Sequence, residues 1–340
     1  MADELELLRR ADPVPDDGPR FADGPLDARA EQRLRRLLDG PRPRRRARPL
    51  QAFRGRAART RLVWGLAACA VVLVIAGNAV LGDPATPRAV AAPLPLTVRA
   101  GSAPVPLRDL VPLADAAAAA GSPRPRKGTH VQSWSLGMSD SGPPVTLPEE
   151  RVVRWRADAS HTELVVATDP RRPGRPVLTD EGGEPHLVSD GQVISRTTYP
   201  PMWSDAPPEA APPHTAARLR AYLTEIARPP AARGTAPLST AELLDAVDEL
   251  LDHWTLGPRE SAALVRLFAA TGGLRPAGEV TDRLGRPGHA YVYDARGARR
   301  MLILEPRTGA VLGMEETFTE DAPEYGVRAG AVMSYSAWMR

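Results

Sequence analysis

Alternating apolar and polar positions predict β-strands in the stretch that follows residue 128. The period of two is clearest in Thr129–Met138, Arg151–Arg156 and Glu163–Ala167. Two further strands, His186–Ser189 and Gln192–Thr197, flank the dipeptide Asp190-Gly191. Because Asp-Gly favours a two-residue turn between paired strands, these two segments are predicted to form a β-hairpin.

A helical period replaces this alternation in the middle of the chain. Helices are predicted over Leu107–Ala120, over Thr215–Ala227, from Ser239 onwards and over Pro258–Thr271. Ser239 with Glu242 three positions later forms a capping-box pattern, which marks a helix start. Gly272-Gly273 is typical of a helix end.

Strand patterns return in the last quarter of the chain. They are Gly278–Asp282, Ala290–Tyr293, Met301–Leu304, Val311–Thr319 and Val332–Trp338. The tight turns between neighbours predict an antiparallel meander, so the fold class is α+β.

One uncharged apolar run lies upstream of all these elements. Residues 62–81 read LVWGLAACAVVLVIAGNAVL, and as a helix they span about 30 Å, the thickness of a bilayer core. This segment is therefore predicted to cross a membrane. Its representative residues are Leu62, Trp64, Cys69, Ile75 and Leu81.

Flanking charge predicts the orientation of this segment. Nine arginines lie between Arg42 and Arg61, whereas few cations follow the run. The positive-inside rule then places the N-terminus in the cytosol and the C-terminal domain outside the cell membrane. A cleaved signal peptide with a site near Ala91 is the alternative, although 61 residues precede the run.

These patterns divide the chain into four parts. Residues 1–61 form a basic, largely disordered cytosolic arm with short helices, and residues 62–81 form the transmembrane helix. Residues 82–106 form a Pro/Ala-rich linker, and residues 107–340 form an extracytoplasmic α+β domain. Within the arm, one face of a helix could contact a partner through Leu26, Leu34, Leu37 and Leu38.

Charge is distributed unevenly between these parts. The arm carries 16 arginines and 10 acidic residues, a net charge of +6, whereas residues 82–340 carry 28 basic and 31 acidic residues, a net charge of −3. Because nucleic-acid binding needs a basic face on the folded part, no nucleic-acid partner is expected. The single cysteine, Cys69, excludes a disulfide within the chain.

Signatures of catalysis and metal binding are missing from the sequence. There is no H-E-x-x-H, P-loop or G-x-G-x-x-G motif, and the six histidines show no ligand spacing. No cofactor is expected. Asp282, Arg286 and His289 form a polar group that would either lie at the mouth of a groove or belong to a hairpin turn with Arg286 paired on the surface, and we favour the turn.

Several long stretches resemble a known family. They include LRAYLTEIAR, PLSTAELLDAVDELLDHWTLGPRESAALVRLFAATGGL and GEVTDRLGRPGHAYVYDARGARRMLILEPRTGAVLGMEE. The chain resembles uncharacterised actinobacterial single-pass membrane proteins that are often encoded beside extracytoplasmic-function sigma factors. The resemblance implies an outer domain similar to the half-open barrel of lipoprotein carriers and of a periplasmic sigma-regulator. In that fold a curved antiparallel sheet wraps helices around an apolar groove.

The leading hypothesis is a membrane-anchored, non-enzymatic binding or sensing protein. Its outer domain would bind an apolar ligand, such as a lipid, or a peptide, and the candidate contact residues are Trp134, Trp155, Tyr291 and Tyr293. The alternative is an anti-sigma-like regulator whose arm, residues 1–61, binds a sigma factor. A third hypothesis is a hydrolase, for which the sequence offers no motif.

Overall fold

The structure is a computed structural model that describes most of the chain from residue 92 onwards. The described residues are 92–121, 123–139, 142–181, 183–201, 210–228 and 236–339. The chain divides into two units, Met1–Leu62 and Val63–Arg340, and every described residue belongs to the second unit. The predicted arm, partner helix and transmembrane helix therefore lie outside the described residues.

Among the described residues there are four α-helices, which we number in chain order: α1 Leu107–Ala119, α2 Ala216–Ala227, α3 Thr240–His253 and α4 Pro258–Thr271. The predicted bounds of α1, α2 and α4 agree with these within one residue. None of these helices combines the length and the apolarity that crossing a membrane requires.

Among the described residues, nine strands build one large, entirely antiparallel sheet. In spatial order they are β7 (Gln192–Tyr199), β4 (His161–Ala167), β3 (Gly142–Trp155), β2 (His130–Ser139), β13 (Val332–Trp338), β12 (Val311–Phe318), β11 (Ala298–Leu304), β10 (Pro287–Ala295) and β9 (Arg275–Thr281). The sheet does not close on itself, because β7 and β9 remain at opposite edges. The α+β class and the antiparallel meander from β9 to β13 are thus confirmed.

In the part of the chain that the structure describes, four short strands lie outside the large sheet. They pair as β1 (Arg126–Lys127) with β8 (Trp254–Thr255), and as β5 (Val177–Thr179) with β6 (His186–Val188).

The hairpin predicted around Asp190-Gly191 is wrong. The strand that precedes this turn, β6, pairs with β5, and the strand that follows it, β7, pairs with β4 of the large sheet. The Asp190 carboxylate instead accepts hydrogen bonds from Thr168 Oγ1 at 2.7 Å and from the Gly174 backbone N–H at 2.7 Å. Its side chain therefore holds a neighbouring loop, and pairing with distant strands overrides the local turn preference.

The helices cover one face of the sheet. The main core joins leucines of α3 and α4 to sheet residues such as Tyr291, Leu302 and Met314. We call this side the helix face. Because each fully buried leucine contributes about 1.5–3 kcal/mol, this core supplies much of the stability of the domain.

The opposite side of the sheet holds a second core, built on Trp134, Ile303 and Tyr335. Residues 92–102, which belong to the predicted linker, lie across it, and Leu96 and Val98 pack against it. We call residues 92–102 the strap and this side of the sheet the strap face.

Candidate functional site

The four aromatic residues proposed from the sequence lie in different places. Trp134 is buried on the strap face, and Tyr291 is buried in the core of the helix face. Tyr293 packs, partly buried, against that same core. Trp155 alone of the four lines a pocket described here, so the structure does not bring these residues together.

The polar group at Asp282 is a hairpin turn, as interpreted from the sequence. Asp282 accepts hydrogen bonds from the backbone N–H groups of Leu284 and Arg286, and from Arg286 Nε at 2.7 Å. The prediction that Arg286 pairs on the surface is wrong. Its partner Asp282 has a side chain that is 0% exposed, and the Arg286 side chain is 28% exposed. Arg286 also donates to the carbonyl groups of Leu312 and Trp338, so it ties three strands together.

An aromatic ladder crosses three neighbouring strands at one end of the sheet. Trp155, His161 and Tyr199 are register partners on β3, β4 and β7. The Trp155 and His161 ring centroids are 4.1 Å apart, those of His161 and Tyr199 are 4.5 Å apart, and both pairs are stacked with an interplanar angle of 19°. Because adjacent strands lie about 4.8 Å apart, direct pairing across the strands stacks these rings.

The only lysine of the chain lies at the Trp155 end of this ladder. Lys127 Nζ is 3.7 Å from the centroid of the Trp155 ring. This distance is well inside the limit of about 6 Å for a cation–π interaction. Lys127 is held there by β1, which pairs with β8 at the end of α3.

A charged pair lies beside the ladder. Arg151 Nε donates to Glu163 Oε1, and Arg151 Nη1 lies 3.9 Å from Asp252 of α3. Tyr199 Oη donates to Glu163 Oε2 at 3.4 Å. The Glu163 carboxylate thus links the ladder to the pair.

Together these side chains line a polar cleft between the sheet and α3. Its volume is about 30 Å³, and its lining residues are Arg151, Val153, Trp155, His161, Glu163, Tyr199 and His253. A second pocket, beside Trp254 and Trp338, has a volume of about 20 Å³. Each is close to the size of one water molecule.

Glu149 precedes Arg151 by two residues on β3, on the same face of the sheet. Burial, together with the charges of Asp180 and Glu181, raises the pKa of the Glu149 carboxyl to about 7. Glu149 is therefore an acid that titrates near neutrality.

Asp248 is a second acid with a raised pKa. It lies on α3, where burial is the main cause and the charge of Asp252 adds to it. Within the part of the chain that the structure describes, no group of three or more His, Cys, Asp or Glu side chains is arranged to hold a metal ion.

No protein-family model matches the chain. No curated protein and no solved structure is significantly similar to it. The site is therefore argued from its own geometry.

Lys127, His161 and Tyr199 were missed as site residues in the sequence. Each lies on a different strand, and only the register of those strands brings them to Trp155. The one available signal was the rarity of lysine, because Lys127 stands alone among 44 basic residues.

Proposed function

We propose that this chain is a membrane-anchored extracytoplasmic binding or sensing protein, and that its outer domain recognises a peptide at the polar cleft. The observation that carries the proposal is the aromatic ladder beside the Arg151–Glu163 pair, at the edge of the sheet. Stacked rings next to paired charges suit a ligand with both planar and charged groups.

The proposal of a membrane anchor is based on the sequence alone. Residues 62–81 are uncharged and apolar, and arginines crowd their N-terminal side. These features support a single-pass helix with the arm in the cytosol and the described domain outside the cell.

The finer fold proposal is a half-open barrel. An open nine-stranded antiparallel sheet with helices on one face supports it. The expected apolar groove has less support, since the two pockets described above have volumes of about 20 and 30 Å³. Drug-sized ligands occupy about 300–1,000 Å³, so these pockets favour a ligand that lies along the surface, such as a peptide, over a buried lipid chain.

Topology can be tested with single cysteines. In a Cys69→Ala background, Val193→Cys places a thiol at an exposed position of β7. A membrane-impermeant maleimide is expected to label this variant in intact cells. Labelling that requires cell lysis would remove the extracytoplasmic placement.

Binding can be tested with full-length protein in lipid nanodiscs and an array of random heptapeptides. Trp155→Leu should weaken the captured peptides about tenfold, because a stacked aromatic pair contributes about 0.5–1.5 kcal/mol beyond its buried area. Tyr325→Leu is the matched control, since Tyr325 is an exposed aromatic residue outside the cleft. Capture of no peptide, or equal loss in both variants, would contradict the proposed site.

A further inference from the structure

The two edges of the large sheet differ. Along β9, the Arg99 backbone N–H donates to the Glu279 carbonyl at 2.8 Å, and the Glu279 N–H donates to Ser102 Oγ at 3.0 Å. The strap thus occupies backbone groups of that edge. At the other edge, β7 pairs on its inner side with β4, and no strand among the described residues pairs with its outer side.

The side chains of β7 are also exposed. Gln192, Val193, Arg196, Thr197 and Thr198 are all exposed, although they lie on both faces of the strand. Natural sheets usually protect an edge with charged side chains, proline, a bulge or a covering segment. β7 has no proline and no lysine. Its one charged residue is Arg196, and the register shift in its pairing with β4 lies at Val165/Val166, opposite the first half of β7. The stretch from Ser195 to Tyr199 therefore has the character of a strand that receives another strand.

On the helix face, the charges beside β7 favour a basic residue at one position of an incoming strand. Thr197 is the register partner of Glu163 on β4. A residue paired with Thr197 from outside would lie beyond this small side chain, on the same face as the Glu163 carboxylate. A long basic side chain at that position can extend over Thr197 towards Glu163. Among the described residues, Glu163 and Asp252 are two acids that share the single cation Arg151, so the group keeps a net negative charge that a second cation complements.

On the strap face, the charge of Arg196 favours an acidic residue at the next position of the incoming strand. Arg196 points to the opposite face from Thr197, because successive side chains of a strand alternate. An incoming residue paired with Arg196 would meet an exposed guanidinium, which an acidic side chain complements. In an antiparallel partner the residue opposite Thr197 precedes the residue opposite Arg196, so the favoured dipeptide reads basic, then acidic.

We propose that β7 binds an extended peptide as an added antiparallel strand, with an arginine or lysine opposite Thr197 and an acidic residue opposite Arg196. This inference rests on the proposed binding function and adds the mode, the register and the charge of the ligand.

A second copy of the chain fits this edge less well. If two β7 strands paired antiparallel over their full length, Ile194 would face Thr197 and Ser195 would face Arg196. Such a pair supplies neither the basic nor the acidic partner. Charge complementarity therefore favours a different peptide.

Two peptides of identical composition test the register. The probes are acetyl-Thr-Val-Arg-Glu-Val-Thr-amide and its swapped form, acetyl-Thr-Val-Glu-Arg-Val-Thr-amide, with affinities measured by fluorescence anisotropy on the full-length protein in nanodiscs. The Arg-Glu peptide should bind at least about fivefold more tightly, because two opposite-charge pairs replace two mismatches. Arg196→Glu, a change at an exposed position, should reverse or abolish this preference.

Hydrogen exchange distinguishes the possible outcomes. Slower exchange of residues 192–199 with the Arg-Glu peptide supports strand addition. If a peptide binds without protecting this segment, strand addition is overturned while the binding function stands, and equal affinity of both peptides overturns the charge register. Protection that rises with protein concentration alone identifies a second copy as the occupant and overturns the proposal. If neither these probes nor the random array shows binding, the proposed function fails as well.

Discussion

Arg283 and Glu315 form an ion pair beneath the strap, with only 5% and 2% of their side chains exposed. The Leu96 backbone N–H donates to Glu315 Oε1 at 2.8 Å, and Arg283 Nη2 donates to the Leu94 carbonyl at 2.9 Å. The pair therefore attaches the strap, which follows the predicted anchor in the chain, to the middle of the sheet. Burial raises the pKa of Glu315, and the charge of Arg283 opposes this rise.

Removing one member of this pair is expected to destabilise the protein strongly. Glu315→Gln leaves the Arg283 charge buried, and breaking a buried pair in this way costs about 3–5 kcal/mol. Urea unfolding of the purified protein measures the loss. Asp294→Asn is the control, because Asp294 pairs with Arg275 at the surface, where such pairs contribute about 0–1 kcal/mol. A loss below about 1 kcal/mol for Glu315→Gln would contradict the structural role of the pair.

Gly278 is expected to be required for the seating of the strap. Its φ is +128°, and an added Cβ would lie 2.5 Å from Ser102 Oγ and 2.8 Å from Val98 Cγ1. Gly278→Ala should therefore lift the strap and speed amide hydrogen exchange in residues 92–102.

Gly285→Ala separates backbone strain from this clash. Gly285 has a φ of +81°, and nothing lies within 4 Å of its added Cβ. Both variants should lose stability through strain, of about 1–2 kcal/mol for a left-handed residue, but only Gly278→Ala should expose the strap. Equal exchange in the two variants would show that the strap does not depend on Gly278.

The capping box at the start of α3 is expected to stabilise the protein, and the uncapped start of α2 provides the control. Ser239 accepts from the Glu242 backbone N–H at 3.2 Å, and Glu242 Oε2 accepts from the Ser239 N–H at 2.8 Å, which completes a capping box. Ser239→Ala should cost about 1 kcal/mol. Thr215→Ala changes the N-cap of α2, where the side chain makes no cap hydrogen bond, and should be close to neutral. Similar losses in thermal unfolding would argue against the capping box.

How far the sequence alone determined this structure depends on the range of the interactions. The capping box at Ser239 and the bounds of α4 were predicted correctly, because a few neighbouring residues determine each of them. The pairing of β7 was not predicted correctly, because its partner strand is distant in the chain. β4 begins at His161, 31 positions before β7 begins at Gln192. The ladder needs the register of three strands at once. No local pattern contains that information.

Stability should fall as pH rises from about 4.5 to about 7, with Glu149 as one cause. Its pKa is raised from 4.5 to about 7 on folding, so the folded state holds a proton that the unfolded state releases in this range. Stability from this group is fully present below about pH 4.5 and is lost as pH passes 7. Asp248, whose pKa is also raised, acts in the same direction.

Glu149→Gln isolates the contribution of this one carboxyl. The variant should be about 1–3 kcal/mol more stable than the parent protein at pH 8, and close to it at pH 4.5. Urea unfolding at a series of pH values gives the difference curve. A curve that is flat from pH 4.5 to 8 would mean that Glu149 keeps its ordinary pKa.

The cation at the end of the ladder can be tested by a double-mutant cycle. Lys127→Met removes the charge above Trp155 but keeps an unbranched apolar side chain, and Trp155→Leu removes the ring. Because a cation–π pair contributes about 0.5–1 kcal/mol at an exposed site and about 2 kcal/mol when desolvated, the coupling between the two changes should fall in this range. Lys127→Arg should retain most of it, since a guanidinium also stacks on an aromatic ring. Coupling near zero, measured by urea unfolding, would show that Lys127 lies near Trp155 without stabilising the ladder, and recognition at the cleft would then depend on the rings and Glu163 alone.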